Sequence, residues 1–397
     1  MKLLLYEPEV LGHRKIYLSA FLESWWRYGR DAELVCALHP DLIQHSASLP
    51  QEWRPKATIA TGVGAASAAK RFREAKALAQ QYSCSEIFLL YGDSYLFEVL
   101  WESPQSALKF SLLLFRYEVH AVTRFPLSGA GIKEMVRQGI KMLLVRFAVD
   151  CGGVNKCLFL DPWTAAVFRQ ACPGRICFVP EPVRGGITAR RQESPADGTP
   201  LKLLLLGTVD ARKGLEEVCA ALELLPRGHK IALQIVGRVL PDYQAKYESL
   251  IARIEALPHV DMQLKNSPFG EEQIPTILEQ ADVVAVLYGA RHTGMSSVFA
   301  WATVCRKPVL AVDWGVIGFA TEAFGLGYVS RSLAAVDLAR ALTAAARGRG
   351  DEVASADRFL KIMDEFAPEK FLRDYFALSL ARSAREVDTR RDVLNVY

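Results

Sequence analysis

Two groups of residues in the second half of the sequence have the chemistry to hold a diphosphate. The first is Lys213 with its neighbour Arg212, at the start of a segment with helical periodicity that follows the apolar run 201–206. A diphosphate leaving group needs positive charge where its own negative charge develops, and a cation beside helix N–H groups supplies it. The alternative is a solvated lysine in a first helical turn, where the helix dipole disfavours a cation.

The second group is Gly294, Ser296 and Ser297, in a polar loop that follows the apolar run 281–288. Glycine allows a phosphate to approach the backbone closely, and a serine hydroxyl donates a hydrogen bond. The loop precedes a helical segment, so its N–H groups are predicted at a helix N-terminus, where anions bind. An ordinary helix cap without a ligand is the open alternative.

The elements that position these residues alternate between strand and helix, which predicts parallel α/β sheets with ligands at the strand ends. Strands of the first half are predicted at 3–6, 33–38, 86–91, 119–124, 156–161 and 176–180. Strands of the second half are predicted at 201–206, 231–236, 259–263, 281–288 and 307–313. The resulting division has Rossmann-like domains at 1–183 and 201–366, a linker at 184–200, and a C-terminal helix and tail at 367–397 that packs back on the first domain.

Composition excludes several classes of function. The 397 residues carry a net charge of +4, which is too weak and too dispersed to indicate nucleic-acid binding. The eight cysteines form no CxxC pair, so reduced thiols are expected rather than disulfides or a zinc site. No apolar run has membrane-spanning length, and the first one is too short for a signal peptide. We therefore expect a soluble, cytoplasmic protein.

The loop after the first predicted strand holds Gly12, His13 and Arg14, where a phosphate or an acceptor group would meet the strand ends. Asp93 lies at another strand end, after 86–91, and could orient a hydroxyl. We predict catalytic roles for His13 and Asp93, and an acceptor-side role for Gly12 and Arg14. A solvated loop pair and a turn-stabilising aspartate are the open alternatives.

The predicted strand 119–124 carries two further catalytic candidates, His120 and Arg124. Imidazole acts as an acid or base near neutral pH, and a guanidinium at a strand end is suited to anions. A histidine within a strand is also often a core residue with satisfied hydrogen bonds, so both interpretations stay open.

The segment 132–147 predicts an amphipathic helix. Its apolar residues recur at helical spacing, and Lys133, Arg137 and Lys141 follow one another on its flank. A basic amphipathic helix can dock on anionic lipid, so a peripheral contact with the cytoplasmic face of a membrane is one interpretation. The solvated face of an ordinary crossover helix is the other.

Four groups of motif residues stand in order along 202–329. They are Leu206-Gly207 with Arg212-Lys213-Gly214-Leu215, Ile235-Val236-Gly237, Ala281-Asp282-Val283-Val284, and Gly294-Met295-Ser296-Ser297 with the segment 306–315. In this order and spacing they resemble the C-terminal half of GT-B glycosyltransferases of the retaining family 4 type, which use nucleotide sugars. The resemblance implies an α/β chain of two Rossmann-like domains with parallel sheets facing a central cleft, the first for the acceptor and the second for the donor. It also aligns Lys213 with the diphosphate-binding lysine of the family.

Three positions depart from the family pattern. Thr293 and Trp301 stand where the family has a Glu-x7-Glu pair, and Thr208 stands where it has an arginine. Neither replacement of the glutamates can accept two ribose hydroxyl protons as a carboxylate does. Together with Gly237, these three residues are the predicted nucleotide- and sugar-contacting positions. For Trp301, stacking on a base or ribose and filling the core both remain open.

The resemblance implies a glycosyltransferase that moves a sugar from a nucleotide-diphosphate sugar to a hydroxyl acceptor, with retention of configuration. It implies no metal and no cofactor other than the nucleotide sugar as co-substrate. The acceptor, a glycan, a lipid or a small molecule, is left open. The rival hypothesis is a GT-B-shaped binding or partner protein that has lost the donor-site carboxylates. No protease, hydrolase, NTPase or DxD metal motif occurs at a strand end.

Overall fold

Two parallel β-sheets organise the protein in a computed structural model. It describes residues 1–10, 14–62, 66–102, 106–117, 119, 128–151, 153–179, 181–183, 199–226, 228–289, 294–348 and 372–380. Contacts divide the chain into two compact units. The first comprises Met1–Val119, Gln138–Pro182 and Glu365–Tyr397, and the second comprises His120–Arg137 and Val183–Asp364. Each sheet belongs to one unit.

The first sheet has seven strands in the order β3-β2-β1-β4-β5-β6-β7, with parallel neighbours. The strands are β1 Lys2–Glu7, β2 Glu33–Leu38, β3 Ala57–Ala60, β4 Glu86–Leu89, β5 Lys109–Leu114, β6 Val154–Phe159 and β7 Ile176–Phe178. Near-continuous apolar runs form the central strands because both faces of a parallel sheet are buried. In β1, Leu3 and Leu5 face one core and Leu4 and Tyr6 face the other.

Helices cover both faces of this sheet. They are α1 Arg14–Tyr28, α2 Pro40–Ala47, α3 Ala68–Gln81, α4 Leu96–Leu100, α5 Gly129–Cys151, which belongs to this unit from Gln138 onward, and α6 Pro162–Ala171. Phe72 of α3, Val99 of α4 and Val145 of α5 pack in one core, and Phe21 of α1 packs in the other. Asp161 caps α6 by accepting a hydrogen bond from the N–H of Trp163, with proline at the first helical position.

A late segment of the chain completes the first unit. The helix Arg373–Leu380 is named α13 because the helices of the second sheet, α7 to α12, precede it in the chain. It contributes Tyr375 and Phe376 to the core beside Phe21 and Phe88. The Tyr375 hydroxyl donates to the buried carboxylate of Glu86 at 2.9 Å. This helix is the described part of the predicted segment 367–397.

The second sheet has six parallel strands in the order β10-β9-β8-β11-β12-β13. They are β8 Leu201–Leu206, β9 Ile231–Val236, β10 Val260–Lys265, β11 Val283–Val286, β12 Val309–Val312 and β13 Gly327–Ser330. Its helices are α7 Leu215–Leu224, α8 Gln244–Glu255, α9 Ile274–Glu279, α10 Ser297–Val304, α11 Gly315–Phe324 and α12 Ala335–Arg347. The α/β prediction of two Rossmann-like sheets is therefore confirmed.

Several predicted elements need correction. The strand predicted at 119–124 lies, apart from Val119, outside the described residues. The strand that follows β4 in the chain and pairs with it is β5 at Lys109–Leu114, which was not predicted. The sequence 112–115 is a short apolar run, and periodicity alone does not tell a buried strand from a buried helix segment. The short elements β3, β13 and α11 were not predicted either. The predicted linker 184–200 lies outside the described residues except at its last two positions.

Within the described residues, no helix is both long and apolar enough to cross a membrane.

Candidate functional site

The strand order of the second sheet reverses at β8, with β9 on one side and β11 on the other. The loops that leave β8 and β11 therefore diverge from neighbouring positions at the carboxyl edge of the sheet. Ligands bind at this kind of switch point in open α/β sheets because the diverging loops leave a crevice there. The predicted diphosphate residues lie on these two loops.

Lys213 reaches back across this edge. Its ammonium donates a hydrogen bond to the hydroxyl of Tyr288 at 2.8 Å and lies 3.5 Å from the carbonyl oxygen of Leu206. The loop geometry depends on Gly214, whose φ of +75° suits glycine. A methyl group on Gly214 would lie 2.6 Å from Leu287 Cβ, so the two loops are in close contact at this point.

Tyr288 connects the two predicted groups, and the sequence analysis missed it. Its hydroxyl lies 2.8 Å from Ser296 Oγ as well as from the Lys213 ammonium, which is also 4.9 Å from the centre of its ring. Its carbonyl accepts a hydrogen bond from Trp314 Nε1 at 3.2 Å. Tyr288 follows β11, so a polar side chain at a strand end was the available signal. The result is a continuous chain from Lys213 through Tyr288 to Ser296.

Arg212, the second predicted cation, is paired within its own loop. Its guanidinium donates to Asp210 at 2.6 Å, and its backbone N–H donates to the same carboxylate at 2.8 Å. Burial raises the pKa of Asp210, but the hydrogen bonds from Arg212 outweigh it and leave that pKa below its ordinary value. The Arg212 side chain is 60% exposed, so it remains close to solvent at the mouth of the loop. Asp210 was also missed by the sequence analysis.

The loop before α10 places its serines differently. Ser296 occupies the cap position but its side chain does not cap the helix, because its hydroxyl is directed to Tyr288. Ser297 is the first residue of α10. Gly294 is buried and precedes Ser297 in the same loop. The N-terminus of α10 therefore lies beside the Lys213–Tyr288 pair, as a phosphate site requires.

The predicted nucleotide-contacting residues differ in their burial and in the elements that carry them. Trp301 is 3% exposed on α10, which makes it part of the packed interior. Thr208 is exposed on the loop after β8. Gly237 follows β9 with a φ of +146°, and a side chain there would collide with the carbonyl oxygen of Gly207. Thr293 lies outside the described residues.

The first sheet has its own switch point, between β1 and β4. Arg14 begins α1 there and donates to Glu7 at 2.9 Å and to Glu9 at 2.5 Å. Its guanidinium lies 4.5 Å from the ring centre of Tyr91, which follows β4. Arg71 of α3 pairs with Glu9 from the other side. The predicted acceptor-side residue Arg14 thus belongs to a buried ionic cluster at a strand end.

Glu7 is the buried member of this cluster and was not predicted. Burial raises its pKa to about 7, against the lowering effect of Arg14 and Arg71. Among the described residues, no group donates a hydrogen bond to its Oε2 atom. A glutamate at the end of the first strand was a signal in the sequence, since a strand end in a parallel sheet borders the ligand side.

Asp93 is fully engaged by the backbone. Its two carboxylate oxygens accept hydrogen bonds from the N–H groups of Phe115 at 2.9 Å and Arg116 at 3.0 Å. Burial raises its pKa despite these bonds. Its direct contacts therefore fix the loop that leaves β5. The other residues predicted for the first half of the sequence, Gly12, His13, His120 and Arg124, lie outside the described residues.

Among the residues that the structure describes, no three His, Cys, Asp or Glu side chains form a group that could hold a metal ion.

This chain is similar to a known protein family and to several solved structures. A family model described as glycosyl transferases group 1 matches residues 186–354. Anabaena HepE in complex with UDP has a TM-score of 0.62 at 15% identity, over 96% of this chain and 100% of that chain. A glycosyltransferase from Rickettsia africae has a TM-score of 0.61 at 12% identity, over 96% and 99% of the two chains. For sucrose-phosphate synthase from Thermosynechococcus elongatus the TM-score is 0.60 at 16% identity, over 96% and 98%.

No curated protein matches this chain by sequence. The low identity to the solved structures means that they establish the fold and not the substrate. The family match covers the second sheet and both loops of the Lys213–Tyr288–Ser296 chain. The chain therefore has the GT-B fold, and its residues 186–354 match the family model of glycosyl transferases group 1.

Proposed function

We propose that this protein is a glycosyltransferase that moves a sugar from a nucleotide-diphosphate sugar to a hydroxyl acceptor, with retention of configuration and without a metal ion. The observation that carries this proposal is the chain from Lys213 through Tyr288 to Ser296 at the switch point of the second sheet. The family match and the UDP complex of HepE support a nucleotide diphosphate as the ligand of that edge.

Lys213 supplies the positive charge that the leaving diphosphate needs. Within the part of the chain that the structure describes, its ammonium donates to the Tyr288 hydroxyl and lies 3.5 Å from the Leu206 carbonyl oxygen, and neither of these partners is a carboxylate. The N–H groups at the start of α10 add donors on the same side, beside Ser296 and Ser297. Charge stabilisation by fixed donors in a shielded site is the largest contribution to many group-transfer reactions.

Arg212 supplies a second cation when the donor binds. Its guanidinium is 60% exposed although its partner Asp210 is buried, so a diphosphate can reach the guanidinium from the solvent side. Asp210 keeps the guanidinium near the loop in the absence of the ligand.

The first unit carries the acceptor side in this proposal. Arg14 is fixed by Glu7 and Glu9 at the end of β1, and Asp93 fixes the loop after β5. Catalytic roles for His13, His120 and Arg124, and an acceptor role for Gly12, stay predictions.

A second candidate function has one specific observation in its favour. Trp301 stands where relatives have a glutamate, and it is packed in the interior, so α10 offers no carboxylate to a ribose or sugar at that position. A protein that binds nucleotide diphosphates through Lys213 without transferring a sugar would have this arrangement.

Thermal unfolding in the presence of UDP, GDP, ADP and TDP tests the site. A ligand at about a hundred times its dissociation constant adds roughly 2.7 kcal/mol to the free energy of unfolding. Lys213→Ala should abolish the stabilisation by the preferred nucleotide. Lys246→Ala, which removes a lysine paired with Glu216 on the same unit, should preserve it. Stabilisation by none of the four would contradict both candidates.

Activity separates the two candidates. Incubation with nucleotide sugars in the presence of a chelator should release the nucleotide diphosphate and transfer or hydrolyse the sugar. Retained configuration at the anomeric carbon, followed by NMR, is the expected result. Nucleotide binding that depends on Lys213, with no turnover of any donor across a broad acceptor screen, would favour the binding protein.

A further inference from the structure

Helix α5 presents its apolar side chains outward. Five large hydrophobic residues on it are between 47% and 71% exposed: Ile132, Val136, Ile140, Leu143 and Phe147. At 3.6 residues per turn these five fall within an arc of roughly 80° and extend over roughly 22 Å of the helix. The helix stands between the parallel neighbours β5 and β6 in the chain, where a crossover helix stands, and its exposed face carries these apolar side chains.

The inward face of the helix is in part polar. Glu134 and Gln138 are buried in its first half, and Val145, Ala148 and Val149 join the core in its second half. The helix therefore exposes large apolar side chains although two buried positions on its inward face are polar. A continuous exposed apolar surface of this kind marks an interaction site.

Basic residues border the stripe. Lys133 and Arg137 lie at successive turns along one side of it, and Arg146 lies on the other side, whereas Lys141 lies on the inward side and donates to the carbonyl of Arg116 at 3.0 Å. The helix has four cations against two carboxylates, and each carboxylate pairs with a cation of the same helix: Glu134 with Arg137 at 2.5 Å and Asp150 with Arg146 at 2.6 Å. The helix itself is therefore net positive.

Two more exposed aromatic residues lie on the same layer of the first unit. Phe97 of α4 is 63% exposed and Trp101, which ends α4, is 88% exposed. The buried residues Leu96 and Val99 of α4 pack in the same core as Val145 of α5, so both helices cover the same face of the first sheet. Tryptophan is favoured where an apolar phase meets water, because its ring is apolar and its N–H is polar.

From the stripe, its cationic border and the exposed tryptophan, we propose that α5 docks on the surface of an anionic lipid bilayer. The apolar side chains enter the boundary between headgroups and acyl chains, and Lys133 and Arg137 contact the anionic headgroups. A second copy of this chain would bring a positive border against a positive border, which is unfavourable. Anionic lipid satisfies both the apolar stripe and the charge.

The test measures co-sedimentation of the full chain with vesicles of phosphatidylcholine, with and without phosphatidylglycerol. The wild type should bind only the vesicles that contain phosphatidylglycerol, and rising salt should weaken that binding because the charges are exposed. The variant Ile140→Ser/Leu143→Ser/Phe147→Ser should lose binding. Lys133→Gln should weaken it by roughly fivefold, as expected for one cation near an anionic surface.

The matched control replaces exposed apolar residues that belong to no such stripe. Leu224 and Val336 are 52% and 60% exposed on helices of the second unit. Leu224→Ser/Val336→Ser should bind vesicles as the wild type does. Because all the replaced side chains are exposed, each variant should unfold close to the wild-type temperature.

A wild-type measurement covers the case in which a stripe variant fails to fold. Vesicles with brominated acyl chains should quench part of the tryptophan fluorescence of the wild type, and Trp101→Phe should reduce that quenching. Absence of vesicle binding by the wild type would overturn the proposal, as would equal binding by the wild type and the folded triple variant. A wild-type dimer that ignores vesicles and that the triple variant makes monomeric would assign the stripe to self-association instead.

Discussion

Lys213 and Tyr288 lie 75 positions apart in the chain and are joined by a hydrogen bond of 2.8 Å. They leave two strands, β8 and β11, that are neighbours in the second sheet although two other strands separate them in sequence. The Tyr288 hydroxyl accepts the hydrogen bond from the Lys213 ammonium and also lies 2.8 Å from Ser296 Oγ. Lys213 and Ser296, at the two ends of this series of hydrogen bonds, are the groups that would hold a diphosphate.

Tyr288→Phe should weaken the binding of the preferred nucleotide diphosphate by roughly tenfold. The substitution keeps the ring under the ammonium but removes a hydrogen bond to a charged group, which contributes about 1.5–3 kcal/mol. Isothermal titration calorimetry measures the effect. Tyr328→Phe removes a hydroxyl that donates to the Gly348 carbonyl in the same unit and should leave affinity unchanged. Equal affinity of Tyr288→Phe and the wild type would remove Tyr288 from the site.

Gly214→Ala should destabilise the second unit by about 1–3 kcal/mol and lower nucleotide affinity more than Tyr288→Phe does. The backbone at Gly214 has a φ of +75°, and the added methyl group would meet Leu287 at 2.6 Å. Relief of this contact requires the two ligand loops to separate. Gly228→Ala is the control, because nothing lies within 4 Å of a methyl group there. Chemical denaturation and calorimetry compare the two, and indistinguishable variants would refute the loop contact.

Glu7→Gln should change how stability depends on pH. The folded-state pKa of Glu7 is raised from its ordinary 4.5 to about 7 by burial, so the folded protein binds more protons than the unfolded chain between these values. The stability that Glu7 contributes is therefore present below pH 4.5 and is lost as pH rises through about 7. Relative to the wild type, Glu7→Gln should gain on the order of 3 kcal/mol across this window.

Denaturation of both proteins at several pH values measures this difference. Asp161→Asn provides a comparison, because burial raises the pKa of Asp161 from 3.8 to about 6 and its window lies lower. Wild type and Glu7→Gln curves that stay parallel from pH 4.5 to about 7 would show that the carboxyl is not protonated in the folded state.

Tyr375→Phe should lower the free energy of unfolding by about 1–3 kcal/mol, because it removes a donor from the buried carboxylate of Glu86. Asn155 and Ser111 would remain as donors to that carboxylate. Tyr328→Phe, whose acceptor is an uncharged carbonyl, should cost less. Chemical denaturation ranks the two variants, and the reverse order would mean that Glu86 is satisfied without Tyr375.

Strands with unambiguous apolar runs and clear turns were predicted well from the sequence. The predictions at 33–38, 201–206 and 231–236 coincide with β2, β8 and β9. The strand β5 was not predicted, because its short apolar run 112–115 has no period that separates strand from helix. Trp301 was undecided for a related reason, since an aromatic residue at helical spacing is compatible with both a packed interior and a ligand. In the structure Trp301 is 3% exposed and belongs to the buried side chains.

The sequence by itself determined the alternation of strands and helices and the identity of the diphosphate candidates, because local propensity and the chemistry of single side chains are properties of short segments. Only the tertiary structure decided which side chains meet. The bond between Lys213 and Tyr288, the pairing of Arg212 with Asp210 and the burial of Glu7 depend on strand order and loop contacts. The same holds for α5, whose period gives an amphipathic helix but whose outward apolar face is set by the packing of its other side.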